Sequence, residues 1–250
     1  CHDVIHTIGR TAYEKYGSFQ EAAAFRTDYC NSGYLHGIFE KYFQTAENPK
    51  ENLQEQCQSY AEGQRRFDLW QCYHGVGHGF MYMTGGDLSE TLRFCEENLK
   101  DGAGSCRNGA MMEVFNQERL AKEAAIVDEQ PFELCESVSG EARGDCYTYL
   151  PTYLLQTEEK SFTETMNACN QISGSFRRTC IAGVGAEALK RNMDNPDQVF
   201  ALCEQAGSYL KKSACIQGAV DMMVNQTGSI KAGRKLCDKV PAKFTDQCED

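Results

Sequence analysis

Apolar and polar positions alternate in blocks along this chain, and the blocks keep step with its cysteines. Runs such as Gly109-Ala110-Met111-Met112-Glu113-Val114-Phe115 read as buried helix, and longer apolar segments of this kind follow the second member of a close cysteine couple. Polar or glycine-rich turns lie inside most couples, as in Lys100–Ser105 and Ser139–Asp145. Ahead of the first cysteines stands helix-start chemistry. Asn195-Pro196-Asp197 offers an N-cap, a proline at the first helical position and an acid in the first turn, and Ser18-Phe19-Gln20-Glu21 reads as a capping box. Pro49 and Pro131 occupy comparable places upstream of Cys57 and Cys135. The pattern predicts a helix, a turn and a second, cysteine-stapled helix, repeated along the chain.

The couples are Cys57/Cys72, Cys95/Cys106, Cys135/Cys146, Cys169/Cys180, Cys203/Cys215 and Cys237/Cys248, with Cys1 and Cys30 left to pair by elimination. The first members of the last four recur every 34 residues, and the earlier spacings are 38 and 40. A period of this size marks stacked helical hairpins, each burying its apolar face against its neighbours. In length the period resembles that of tetratricopeptide and other helical-hairpin repeats, without the Trp/Leu/Gly/Tyr signature of the former. Glycine recurs three positions after the second cysteine, at Gly33, Gly75, Gly109, Gly183 and Gly218. Mid-helix glycine costs about 1 kcal/mol against alanine, so its recurrence implies close approach of neighbouring helix backbones. The Cys146 unit departs, with Tyr149 at that place and Pro151 expected to kink the helix beyond it.

Fourteen cysteines without a CxxC pair indicate disulfides rather than thiolate metal clusters, and hence an extracytoplasmic setting: secreted, periplasmic or within the secretory pathway. A chain opening on Cys1 rather than Met reads as a mature or trimmed form, although an N-terminal cysteine is also where a bacterial lipid anchor attaches. The net charge of −11 argues against nucleic acid and anionic membranes as partners. No apolar run reaches the roughly 18 residues needed to span a bilayer.

All five histidines lie within the first 78 residues: His2 and His6, His36, and His74 and His78. Two pairs are spaced i,i+4, which places both imidazoles of a pair on one helix face. Aligned on the second cysteines, His36 and His78 are equivalent, and His6 fits the same frame. Stacked helices 8–10 Å apart would then line up His2/His6, His36 and His74/His78 along one strip, within reach of a shared ion. Imidazole is the commonest ligand for zinc and copper and frequent for iron, so the expected cofactor is a transition metal ion of one of these kinds. The plainer readings are a structural or pH-sensing histidine cluster, or scattered surface histidines.

Glu40 follows His36 at i+4 and is the candidate carboxylate ligand. Glu113 is the candidate catalytic group, as general base, ligand or orienter. Its helical phase, seven residues after a second cysteine, points it nearer the packed glycine stripe than the histidine flank, and the same place recurs at Glu187, far from any histidine, which favours a structural role for it over these. Tyr34, Tyr73 and Tyr82 read as core packing. A GxSxG elbow, a P-loop and a GxGxxG run are absent, which removes the commonest hydrolase and nucleotide signatures. The resulting expectation is an all-α, single-domain α-solenoid of about seven disulfide-stapled hairpins over residues 1–250, with 34–40-residue repeats. Residues 1–125 form its histidine-rich half and residues 126–250 its scaffold repeats. The expected function is a metal-dependent enzyme activating water or oxygen. The alternative is a non-catalytic module for metal delivery or storage, or for binding a protein partner.

Overall fold

The structure is a computed structural model describing residues 2–27, 29–61, 66–115, 131–156 and 158–240; for residues 2, 3, 66 and 131 it describes the backbone alone. All regular structure among the described residues is helical. The chain divides into two compact units, residues 1–142 and 143–250.

In the first unit, α1 (His2–Tyr16), α3 (Tyr29–Thr45), α5 (Arg66–Met83) and α7 (Ala103–Val114) pack each upon the next in chain order. The shorter α2 (Phe19–Ala23), α4 (Leu53–Tyr60) and α6 (Leu88–Asn98) lie against them, and α8 (Pro131–Ser137) comes next along the chain. The second unit contains α9 (Ala142–Gln156), α10 (Phe162–Gln171), α11 (Phe176–Arg191), α12 (Pro196–Glu204), α13 (Tyr209–Thr227) and α14 (Ile230–Cys237). There α11 packs on α13, α10 and α12 lean on α11, and α14 closes on α13. Helices packed on their chain neighbours in this way occur in bundles and in repeat arrays alike.

The local signals behave largely as their chemistry requires. Asn195 caps α12 by accepting the Gln198 N–H, with Pro196 at the first helical position. Ser18 caps α2 through the Glu21 N–H, while the complete reciprocal box stands at Ser161 and Glu164. Gly85 and Gly86, at φ 63° and 84°, turn the chain out of α5 into α6, capped by Asp87. Helix α9 continues through Pro151 to Gln156 as one element. Cys30, Asn31 and Ser32 are left-handed, at φ 57°, 57° and 53°, so a reversed turn precedes the right-handed part of α3. Each such non-glycine residue costs about 1–2 kcal/mol, which the bridge at Cys30 and the burial of Asn31 and Ser32 help to hold.

Several glycines, with Gly109, Gly183 and Gly218 of the recurrent set among them, are where backbones meet. A Cβ built on Gly37 would lie 2.0 Å from the carbonyl oxygen of His6, and one on Gly9 equally close to that of Tyr34. The same reciprocal clasp joins α5 to α7, where Gly77 meets Cys106 O and Gly109 meets His74 O. In the second unit Gly185 meets Cys215 O and Gly218 meets Ala182 O. Only glycine permits such contact. Between α3 and α5 the glycines receive rings instead, with Phe39 over Gly75 and Phe43 over Gly79.

Disulfides tie Cys57 to Cys72, Cys95 to Cys106, Cys169 to Cys180 and Cys203 to Cys215, each joining a shorter helix to the longer helix after it. Cys30, Cys135, Cys146 and Cys237 are also disulfide-bonded, and no free thiol occurs among the described residues. Cys1 and Cys248, the expected partners of Cys30 and Cys237, lie outside the described residues. No described helix is long and apolar enough to cross a membrane.

Candidate metal centre

Each longer helix of the first unit contributes to one interior cluster, most of them through residues spaced i,i+4, a spacing that brings two side chains to one face. Helix α1 supplies His6 and Arg10, α3 supplies His36 and Glu40, α5 supplies Trp70, His74 and His78, and α7 supplies Glu113. The glycine clasps set the depth: Gly37 lies on the His6 carbonyl and Gly109 on that of His74, so α1 and α7 close tightly over the helices between them.

The four described imidazoles converge. Ring centres of His36 and His78 are 4.3 Å apart, those of His36 and His74 and of His74 and His78 each 4.9 Å. His6 lies 5.4 Å from His36 and 5.8 Å from His78. None of the four is more than 5% exposed, and Glu40 and Glu113 are buried with them. The side chain of His2, the fifth candidate, lies outside the described residues.

Two carboxylates orient the rings. Glu40 Oε1 lies 2.6 Å from His6 Nδ1, and Arg10 donates to Glu40 Oε2 at 2.5 Å. Glu113 Oε1 contacts His78 Nδ1. A carboxylate on one imidazole nitrogen fixes the tautomer and aims the other nitrogen inwards, as outer-shell acids do around metal-bound histidine. His78 Nε2 then faces His74 Nε2 at 3.0 Å. Nitrogens held about 2.1 Å from one ion at right angles stand about 3.0 Å apart, and about 3.4 Å apart in a tetrahedron, so the pair has the spacing of a coordination edge. In the absence of an ion, one N–H···N hydrogen bond accounts for the same distance.

The electrostatics favour a neutral ring at His74. Burial drives the His74 imidazole down to about 3; a side-chain hydrogen bond with Asn108 pulls the other way, and His6 adds to the fall. A metal ligand must be a neutral imidazole, and His74 is one across the physiological range. Arg10 pairs with Glu40 and His78 with Glu113, and a cation beside these buried acids would balance a carboxylate there. Two groups have their donor atoms within 4.8 Å of one another and could hold an ion: His36, His74 and His78, and Glu40, His78 and Glu113.

The structure thus brings together His6, His36, His74, His78, Glu40 and Glu113. Glu113, for which a place in the packed stripe was the stronger expectation, instead reaches His78 across the helix interface. Its counterpart Glu187 accepts from Thr152 at 2.8 Å and from Lys190 at 2.6 Å, a plain structural role. Tyr34 and Tyr73 are core residues, Tyr34 donating to Ala22 O at 2.9 Å, while Tyr82 is half-buried. Sequence reasoning missed Arg10 and Trp70. The indole of Trp70, the single tryptophan, stacks on His74 at 4.9 Å. Both stand four residues before or after a histidine, which is the signal that would have found them.

Comparison with protein-family models, curated proteins and solved structures gives no match, and the reading of this site rests on its own geometry.

Proposed function

We propose that this chain is an extracytoplasmic transition-metal protein whose ion is held by His36, His74 and His78, with His6 as a further nitrogen. Glu40 and Glu113 orient His6 and His78, and Glu113 is placed to serve as the general base. The favoured activity is activation of water or oxygen at a coordination position that the imidazoles leave open. Copper, iron and zinc all suit the donor set. The cysteine period supports the same stapled-hairpin repeat, about seven hairpins in all, along residues 1–250, with the metal-binding half at residues 1–125 and the scaffold at 126–250.

The observation that carries this reading is the convergence of four imidazoles from three helices in a buried cluster with two orienting carboxylates. Burying so many polar rings costs free energy that a simple helical scaffold has no need to spend. Twelve bonded cysteines among the described residues support the compartment.

Burial also favours a second reading, a non-catalytic carrier that shields its ion from solvent. Elemental analysis of protein purified without an affinity tag, repeated for His36→Ala and His78→Ala, tests metal binding itself. Addition of azide or cyanide to the copper- or iron-loaded protein, or to a cobalt-substituted form standing in for spectroscopically silent zinc, separates the two readings. An enzyme has an open position and changes its spectrum, while a closed carrier does not.

A further inference from the structure

A second feature of the first unit, outside the histidine cluster, has the makings of a ligand site. A cleft of about 640 Å³ opens between α6, α7, α8 and the turn after α8, within the usual range for small-molecule pockets. Leu88, Leu92, Leu134 and Val138 give it apolar walls. Arg107 lines it as well.

The surroundings of that guanidinium are unbalanced. The Arg107 side chain is 9% exposed, yet both of its carboxylate partners stand in solvent: Glu96 contacts Nη1 with 58% of its side chain exposed, and Glu141 contacts Nη2 with 86% exposed. Long exposed side chains held in one geometry give little net stabilisation. The buried Nε has no hydrogen-bond partner. Nε and Nη2 form one edge of the guanidinium, which matches the two oxygens of a carboxylate side-on. Glu141 takes only half of that edge.

We propose that this cleft binds a small organic carboxylate with an apolar body. Its two oxygens pair with Nε and Nη2 of Arg107, its hydrocarbon lies along Leu88, Leu92, Leu134 and Val138, and Glu141 is released to solvent. None of the residues lining it belongs to the metal centre.

Calorimetric titration of the full chain with 4-phenylbutyrate tests this, with 4-phenylbutylamine and 4-phenylbutanol as charge-reversed and neutral probes. Saturable binding of the acid, at least tenfold tighter than either probe, is expected. Arg107→Lys should weaken it at least tenfold, because an ammonium cannot offer the paired edge. Glu141→Gln should tighten it about threefold, since the competing anion is gone. No binding of the acid up to 10 mM, on the order of the weakest small-ligand affinities, overturns the proposal. So does preference for the amine, which would make the glutamates the recognition element. Weaker binding in Glu141→Gln overturns it as well, and that variant keeps the test decisive if Arg107→Lys fails to fold.

Discussion

Glu113 reaches His78 from 35 residues further along the chain, and Glu187 reaches Thr152 across the same 35 residues. One repeat contact is therefore built twice, once around an imidazole and once around a hydroxyl. The offset from His6 to Glu40, 34 residues, is nearly the same. A repeat thus brings each acid to the helix before it, and the chemistry depends on which residue waits there. Replacing the acid while keeping its shape isolates that contribution. Glu113→Gln and Glu40→Gln should each lower metal affinity about 10- to 100-fold with little change in helical content. Competition titration with a chromophoric chelator measures it, and unchanged affinity in both variants would show that the carboxylates do not tune the site.

The glycine clasps should matter more than their size suggests. Gly37→Ala forces a methyl group onto the His6 carbonyl, and overpacking of this kind costs about 1–3 kcal/mol. It should lower the thermal midpoint and the metal affinity together, since α1 carries His6. Gly144, inside α9 with open space around it, provides the contrast, and Gly144→Ala should be neutral or stabilising by up to about 1 kcal/mol.

Acid should weaken the Glu187 contact in a particular pH range. Burial opposes ionisation of this carboxyl, but Lys190, Thr152 and Arg191 outweigh it and hold the group below its ordinary value of 4.5. As the pH falls, the unfolded chain takes up this proton first. The stabilisation is complete above about pH 4.5 and is lost below it, as the folded group titrates. Glu187→Gln should cost about 1–3 kcal/mol at pH 7 and less at pH 3. Denaturant unfolding at both values checks this, and an equal cost at each would contradict it.

Cohesion should come from the disulfides and the packed helices, not from the ion. Chelation under non-reducing conditions should leave helical circular dichroism intact. Replacing Cys95 and Cys106 by serine opens a bridge spanning 11 residues and should cost about 3 kcal/mol in the chain-entropy picture. Collapse of the helical signal on chelation alone would reverse this assignment.

The helices, the four bridges paired above and the convergence of the histidines were open to sequence reasoning because each rests on a periodic signal: the 34-residue recurrence of Cys135, Cys169, Cys203 and Cys237, the i,i+4 pairs, and the glycine at the third place after a cysteine. The partner of Glu113 was not, because helical phase alone points this residue at the packed stripe. The stripe itself borders His78 once Gly77 and Gly109 draw α5 and α7 together. The left-handed turn at Cys30–Ser32 carries no glycine to announce it, and Arg107 sits in an ordinary helical position. Their surroundings are set by residues distant in sequence, and no local pattern encodes them.

X-ray absorption of the zinc-loaded, tag-free protein tests the shared centre most directly. The prediction is a first shell containing at least three imidazole nitrogens at about 2.0–2.1 Å, lost in His36→Ala and His78→Ala. A shell of oxygen alone, or zinc that washes off the unaltered protein on gel filtration, would contradict it.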